Sequence, residues 1–300
     1  MKVVILLSTY NGDLYLREQI ESILHQNYRN IEILIRDDGS TDSTIKLLDS
    51  YCCKYTNMSY YKGDNLKSAR SFMDLVKNAP LADYYAFCDQ DDIWKQDKIE
   101  TALNMLKSSH SDLYYSSYTT VDKRGVIIQE NVNHHSHKDT LGASLVDLSV
   151  TGCTMVFTRK LWEDIIHSNP QNIMMHDSWV YKVALCMRRP IIYDPVAHIY
   201  YRQHGNNVIG AQMNWKKVWV SRYNRWFKTV TNRRYNEVYE LYKEYAMRMP
   251  AESIAVIEPI IGYKEKNFFQ RFKIATNKVY RTRNIKLDFP FIISILAKRY

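Results

Sequence analysis

The sequence has few cysteines and no long hydrophobic run. Its five cysteines are odd in number and show neither paired nor metal-ligand spacing, which predicts free thiols. No segment approaches the roughly 18 consecutive apolar residues of a membrane-spanning helix, and the apolar run at residues 3–7 is too short for a signal peptide. We therefore expect a cytoplasmic protein without a membrane span.

Glycine-rich phosphate loops are absent as well. No G-x-G-x-x-G follows a predicted strand, and no G-x-x-x-x-G-K-[ST] occurs anywhere in the chain. The backbone amides of a glycine loop are therefore not available to bind a diphosphate. If this chain binds a nucleotide, a metal ion must hold the diphosphate.

The positive charge is concentrated at one end of the chain. After Gly210 there are 19 Lys and Arg against 7 Asp and Glu, a net charge of +12, whereas the residues up to that point carry a net charge of −3. A change in net charge of this size indicates a boundary between two regions of the chain. We predict a catalytic domain over residues 1–210 and a basic, aromatic-rich helical extension over residues 211–300.

Strand-like and helix-like patterns alternate along the first two hundred residues. Strands are predicted over residues 2–8, 31–36, 58–62, 84–88, 112–118, 151–157, 191–193 and 197–201. Helices are predicted over residues 13–26, 67–78, 97–108, 160–167 and 177–187, and another begins at about residue 41. This alternation predicts an α/β fold with an open, mostly parallel, Rossmann-like sheet flanked by helices.

Polar clusters follow three of these strands. STYNG comes after the first strand, DDGSTD after the second and CDQDDIW after the fourth. Open α/β sheets bind ligands at the carboxyl ends of their strands, so the clusters are expected to meet there. The cleft would be shared by Thr9, Tyr10, Asp37, Asp38, Asp89, Asp91 and Asp92.

Asp89 and Asp91 form a D-x-D pair at a strand end. Unpaired buried carboxylates are costly, so the pair favours a divalent cation or a basic partner. Carboxylate oxygens suit Mg²⁺ or Mn²⁺, which usually keep coordination positions for phosphate oxygens. The alternative is that these aspartates form a turn and cap the segment before Trp94. A turn is likewise the alternative for Asp37 and Asp38.

Six motifs together resemble the inverting family 2 glycosyltransferases, and within them the bacterial rhamnosyltransferase-like branch. They are STYNG, DDGSTD, CDQDDIW, TGCTMVF, HDSW and YRQHGNN, in the order of the family and over about residues 1–210. The resemblance implies a GT-A fold and a nucleotide-sugar donor. It also implies a divalent metal ion, Mg²⁺ or Mn²⁺.

The resemblance assigns donor-binding roles at matching positions. Thr9, Tyr10 and Asp38 match positions that contact the base, and Asn11 belongs to the same STYNG motif. Asp37 and Asp89 match positions nearer the ribose. The last two donor-binding candidates are Arg70, for base or phosphate, and Arg202, as a charge-assisted hydrogen-bond donor to the diphosphate.

The resemblance also places the metal, the base and the acceptor. Asp91 matches the direct metal ligand, and His204 matches a position that binds metal or diphosphate once its loop closes. Asp177 matches the base that deprotonates the acceptor hydroxyl. Its alternative role, as a helix N-cap, is compatible with the first. The ring of Trp179 is expected to stack on an acceptor sugar.

The basic extension begins with aromatic residues at helical spacing. Trp215, Trp219, Tyr223, Trp226 and Phe227 alternate with lysines and arginines. Such a helix suits the interface of an anionic membrane, where a lipid-linked acceptor glycan would lie. The alternative is a helix packed on the catalytic domain or in a homodimer. No nucleic-acid-binding module accompanies the charge, so nucleic acid is not an expected partner.

The expected function is transfer of a sugar, rhamnose from dTDP-rhamnose, to a lipid-linked acceptor in bacterial surface polysaccharide synthesis. A galactosyl- or N-acetylglucosaminyltransferase that uses a UDP-sugar would share these motifs. A nucleotidyltransferase would need a glycine-rich, basic signature near the first strand, which residues 8–12 lack. A catalytically silent binding module with the same fold is the alternative outside enzymes.

Overall fold

The computed structural model describes residues 1–132, 139–148, 150–203 and 232–300. The strands are β1 Val3–Thr9, β2 Ile31–Asp37, β3 Met58–Lys62, β4 Tyr84–Asp89, β5 Ile93–Trp94, β6 Leu113–Val121, β7 Ile127–Val132, β8 Val156–Thr158 and β9 Ile191–Arg202. The helices are α1 Leu16–Leu24, α2 Thr44–Lys54, α3 Lys67–Asn78, α4 Lys98–Ser109, α5 Leu141–Val146, α6 Arg159–Ile166, α7 His176–Cys186, α8 Arg233–Tyr245, α9 Ala251–Ile261, α10 Phe268–Thr276 and α11 Ile285–Leu296.

The described strands form one mixed sheet in the order β3-β2-β1-β4-β8-β6-β9-β5, and β7 pairs with β6. The first four of these strands are parallel, as the alternating pattern predicts. β8 then pairs antiparallel with both β4 and β6, whereas β6 and β9 are parallel. The expected α/β architecture is confirmed.

The central strand β1 is buried on both faces, which explains its continuous Val/Ile/Leu run. Because side chains alternate across a strand, Val3, Ile5 and Leu7 pack into one core, with α1, α2 and α4. Val4 and Leu6 pack into the other, with α3, α6 and α7. The sheet is therefore covered by helices on both sides.

The last four helices join the second of these cores. Val238, Leu241 and Tyr245 of α8 and Phe291 and Ile295 of α11 are buried in the same cluster as Val4 and Leu6. Residues 232–300 thus contribute to one hydrophobic core with the sheet. No helix in the described part of the chain is long and apolar enough to cross a bilayer.

Two local predictions were wrong. Residues 151–157 were expected to form a strand, but Gly152–Thr154 forms a 3₁₀ turn and only Val156–Thr158 is a strand. Residues 191–201 were expected to form two strands, but β9 is continuous, with an irregular register opposite Ser116 and Ser117. A bulge explains why its apolar pattern is interrupted.

Candidate functional site

A cavity of about 690 Å³ lies at the carboxyl edge of the parallel strands. β1, β2 and β4 end side by side there, because Thr9 pairs with Asp37 and Ser8 pairs with Asp89. The carboxyl-bearing residues that line the cavity are Asp38, Asp89, Asp91 and Asp177. The structure therefore brings together members of all three polar clusters and adds the start of α7.

Asp177 lies in the first turn of α7 and is almost completely buried. Its Oδ2 accepts a hydrogen bond from the Gly152 backbone N–H at 3.0 Å, and its Oδ1 accepts one from the Ser178 N–H at 2.6 Å. Burial raises the pKa of Asp177 to about 6, although these two donors act in the opposite direction. A carboxylate with this pKa is ionised at neutral pH and is a competent general base.

Asp89 and Asp91 both face the cavity. Burial, and then the neighbouring carboxylates of Asp91 and Asp177, raise the pKa of Asp89 to about 7. A divalent cation would relieve this repulsion, so the two oxygen-bearing side chains fit Mg²⁺ or Mn²⁺. The acidic corner is thus suited to the metal that the D-x-D pair predicts.

Asp92 lies behind this pair. It is fully buried, and its Oδ1 accepts a hydrogen bond from the Arg202 backbone N–H at 3.2 Å. Its carboxylate and the Cys153 thiol lie within 4.8 Å of an oxygen of Asp89, a spacing that would also suit a metal. Burial raises the pKa of the Cys153 thiol well above its usual range, and a neutral thiol is a poor ligand for Mg²⁺ or Mn²⁺. We therefore favour the cavity-facing pair, Asp89 and Asp91, as the metal site.

Gln90 ties the first loop to the D-x-D loop. Its Oε1 accepts from the Thr9 hydroxyl at 2.7 Å and from the Tyr10 N–H at 2.9 Å, and its Nε2 donates to the Tyr10 carbonyl at 3.2 Å. Thr9 is buried beneath the loop, whereas Tyr10 and Asn11 line the cavity. The amide thus fixes the position of two donor-binding candidates.

The second cluster is divided between a turn and the cavity. Asp37 is buried, and its Oδ1 accepts from the N–H groups of Gly39 and Ser40 at 3.1 and 2.9 Å, which corresponds to the turn alternative. Asp38 lines the cavity and is ion-paired with buried Arg36, while its Oδ2 accepts from the Leu66 N–H at 3.2 Å. Only Asp38 of this pair lines the cavity.

The two arginine candidates contact protein groups. Arg202 is buried, and its guanidinium donates to the Asp91 carbonyl at 3.0 Å, to the Lys123 carbonyl at 3.1 Å and to Glu18 at 2.5 Å. The expectation that it binds diphosphate is corrected: it supports the D-x-D loop from behind. The exposed Arg70 donates to the Gln171 carbonyl at 3.0 Å and is not among the described residues that line the cavity.

The expected acceptor contact at Trp179 is wrong. Its side chain is fully buried in the core beside Tyr245, with 6.0 Å between the ring centroids, so it presents no face to an acceptor. His204 lies outside the described residues, as does the aromatic helix expected over residues 215–227.

The sequence reasoning missed several cavity residues. Asn65 lines it from the loop after β3, and Lys67 and Ser68 line it from the first turn of α3. The segment KGDNLKS, which runs from the end of β3 into α3, is a fourth polar cluster at a strand end, and the argument used for the other three clusters would have found it. His176 was also missed, although it directly precedes Asp177 in the HDSW motif.

His176 packs into the cavity wall as a neutral ring. Burial lowers its pKa to about 3, and neither ring nitrogen has a hydrogen-bond partner among the described residues. The ring stacks on Phe72 at 3.9 Å between centroids. A Cβ at residue 152 would lie 2.5 Å from its Nε2, so Gly152 is required for this close approach.

Together these groups supply one buried general base, one pair of carboxylates for a cation, and polar side chains around a space large enough for a nucleotide sugar. The arrangement suits a displacement in which the base takes a proton from a nucleophile and the cation stabilises an anionic leaving group.

Comparisons with known proteins identify the fold and the family. The dTDP-rhamnosyl transferase RfbG of Shigella flexneri is 29% identical over 221 residues, which are 70% of this chain and 75% of the relative. The crystal structure of S. aureus TarS 1-349 in complex with UDP-GlcNAc has a TM-score of 0.62 at 17% identity, covering 99% of this chain and 82% of that one.

The mannosyltransferase PcManGT from Pyrobaculum calidifontis, in complex with GDP-Man and Mn²⁺, has a TM-score of 0.55 at 15% identity, covering 99% of this chain and 86% of the other. These likenesses show that the fold is of the GT-A type. Residues 4–165, more than half of the chain, match the family described as Glycosyl transferase family 2. The chain therefore belongs to family 2 of the glycosyltransferases.

Proposed function

We propose that this glycosyltransferase inverts the anomeric centre and moves rhamnose from dTDP-rhamnose to a lipid-linked acceptor glycan of a bacterial surface polysaccharide. The observation that carries the proposal is that Asp177 and the Asp89/Asp91 pair line one cavity. The 29% identity to a dTDP-rhamnosyl transferase supports the choice of donor.

The proposed reaction is a single displacement. The acceptor hydroxyl oxygen forms a bond to the anomeric carbon as the bond between that carbon and the diphosphate oxygen breaks, and the hydroxyl proton passes to Asp177. A Mg²⁺ or Mn²⁺ ion on Asp91, with Asp89 beside it, would supply the positive charge that stabilises the departing diphosphate. Burial, more than any charged neighbour, raises the pKa and therefore the basicity of Asp177.

The remaining cavity residues are proposed to bind the donor. Tyr10, Asn11 and Asp38 lie at the ends of β1 and β2 and suit contacts to the nucleoside. Lys67 adds a positive charge at the rim of the cavity. Thr9 and Asp37 would act through the loops that they stabilise, and His204 remains a proposed diphosphate or metal contact.

A donor panel tests this function. Purified protein with Mn²⁺ should slowly release nucleoside diphosphate from dTDP-rhamnose, and release should stop when EDTA removes the metal. Asp91→Asn should lose release, whereas Asp122→Asn, a matched change in a surface turn, should retain it. Release from UDP-galactose or UDP-GlcNAc instead would assign the alternative donors. If no donor is cleaved even with lipid-linked acceptors present, a silent binding module is the better account.

We also propose that the C-terminal region docks on the cytoplasmic face of an anionic membrane, where such an acceptor is anchored. α10 exposes Phe268, Phe269 and Phe272, and the neighbouring α11 exposes Ile285 and Phe289. Residues 262–300 contain 10 Lys and Arg against 2 Asp and Glu. Exposed rings among so many cations suit the headgroup region of an anionic bilayer better than a second copy of the same basic surface.

A further inference from the structure

The loop that leads to Asp177 is held by a helix of the basic C-terminal region. Residues 167–175 connect α6 to α7, and three glutamates of α8 accept hydrogen bonds from this loop. Glu244 accepts from the Asn169 N–H at 3.1 Å, and Glu240 accepts from the Gln171 N–H at 3.2 Å. The third is Glu237, which accepts from the Met174 N–H at 2.9 Å. Their spacing of three and four residues places them on one face of α8.

The opposite side of the loop is held by α3. Arg70 donates to the Gln171 carbonyl at 3.0 Å, and Lys77 donates to the Asn169 side-chain oxygen at 2.6 Å. The loop is thus fixed between a helix of the nucleotide-binding half and a helix of the C-terminal region.

Glu237 also makes a buried ion pair beneath the first turn of α7. It is fully buried and pairs with Lys182, and its Oε2 accepts from the Ser178 hydroxyl at 3.1 Å. Lys182 donates to the same hydroxyl at 2.8 Å. A charge at this depth is tolerated only because it is paired and hydrogen-bonded, and removing one partner leaves the other uncompensated.

From this geometry we propose that Glu237 is a positioning residue for the transfer step. Its carboxylate accepts hydrogen bonds from the Met174 N–H and the Ser178 hydroxyl. It therefore fixes the chain on both sides of the His176–Asp177 dipeptide, which lines the cavity. The role assigned to Asp177 rests on the proposed function. The role of Glu237 in fixing the loop does not.

The charges of the pair also act on the base. Glu237 raises the pKa of Asp177 and Lys182 lowers it, although burial is the larger cause of the shift. Removing one partner therefore changes the titration of Asp177 in a direction that depends on which partner is removed. If α8 contributed only to packing, these two substitutions would not move the pKa of Asp177 in opposite directions.

The test compares Glu237→Gln with Lys182→Met. Glu237→Gln should lower kcat by about tenfold or more, because a small misplacement of a base is costly, with the KM for the donor within about twofold. The acid limb of the kcat profile should move to lower pH in Glu237→Gln and to higher pH in Lys182→Met. Glu252→Gln, at an exposed position on α9, is the matched control and should change none of these quantities.

A readout independent of activity is hydrogen exchange over residues 169–178. Exchange at the Met174 amide should accelerate in Glu237→Gln and not in Glu252→Gln. If Glu237→Gln folds poorly, the double variant Lys182→Met/Glu237→Leu removes both charges together, and it should fold while kcat stays low and exchange stays fast.

Unchanged exchange and a kcat within about twofold of the wild type in either Glu237 variant would overturn the proposal. If exchange accelerates but the wild-type protein transfers no sugar, Glu237 still fixes the loop, and the proposed function fails.

Discussion

Asp177, the proposed base, shows how the exposure of a side chain depends on its position in a helix. Because α-helical residues are about 100° apart, Asp177 and Trp179 lie about 200° apart and point to opposite sides of α7. Asp177 enters the cavity, and Trp179 therefore lies in the core. The motif identified both residues, but only the face of the helix decides which one lines the cavity.

The pKa of Asp177 predicts the pH dependence of transfer. Burial raises this pKa to about 6 in the free protein, and the base must be ionised, so kcat/KM for the donor should be constant above about pH 7 and fall about tenfold per pH unit well below 6. Asp177→Asn should lower kcat by about 10²–10⁴-fold at neutral pH. The measurement is the steady-state rate at subsaturating donor between about pH 5 and 8.

The same substitution provides its own folding control. Asp177→Asn removes a buried charge but leaves one of two backbone N–H groups without an acceptor, so it should lower the free energy of unfolding at neutral pH by no more than about 1–3 kcal/mol. Near-normal transfer by Asp177→Asn would remove this residue from the role of base. An acid limb that remains near pH 6 in the variant would assign it to another group.

Among the elements, the parallel strands were the most predictable from the sequence. Met58–Lys62 and Lys67–Asn78 agree with the expected boundaries because their flanking turns and apolar periods are unambiguous. The common carboxyl edge of the parallel strands was predictable from the topology alone. The 3₁₀ turn at Gly152–Thr154 could not be predicted, because its conformation depends on the contact of Gly152 with His176 and Asp177, which are distant in sequence.

The long strand β9 contains a buried histidine that makes stability depend on pH. The His198 ring contacts Asp194 through Nε2 and Asp97 through Nδ1, both at 3.1 Å. Burial alone would lower the pKa of His198, but the hydrogen bond to Asp194 and the charge of the nearby Asp97 carboxylate outweigh it and raise the pKa. The stabilisation is therefore complete below the ordinary histidine pKa of about 6.5 and is lost as the pH rises through the folded-state pKa.

We expect His198→Asn to lower the free energy of unfolding by about 1–3 kcal/mol at pH 6, where two carboxylates lose a cationic partner. The difference from the wild type should shrink as the pH approaches 8.5. Urea unfolding at both pH values measures it, with the exposed His25→Asn as the matched control. A difference that grows with pH would contradict the assigned sign of the pKa shift.

At the scale of the whole molecule, the net charge and the packing describe different divisions of the chain. The change in charge near residue 210 suggested an appended region, whereas Val238, Leu241 and Tyr245 lie in the core that covers the sheet. The distribution of charge along the chain indicates which segments have polar surfaces, but it does not indicate which helices share a hydrophobic core. Charge alone could not reveal that α8 also supports the loop before Asp177.

The exposed aromatic side chains of α10 predict binding to anionic vesicles. Phe269 is 82% exposed and Phe272 is 50% exposed, in a segment where cations outnumber acids. The protein should sediment with vesicles that contain phosphatidylglycerol and much less with phosphatidylcholine alone, and salt should weaken the binding.

Phe269→Ser/Phe272→Ser should reduce this sedimentation several-fold, because the rings supply the apolar part of the binding free energy. Met247→Ser is the control, since Met247 is 99% exposed on a different segment. Light scattering on the same samples measures the oligomeric state and so distinguishes membrane binding from dimerisation through this surface. If the phenylalanine variant converts a dimer to a monomer while vesicle binding is unchanged, α10 contacts a second copy of the chain and the membrane proposal fails.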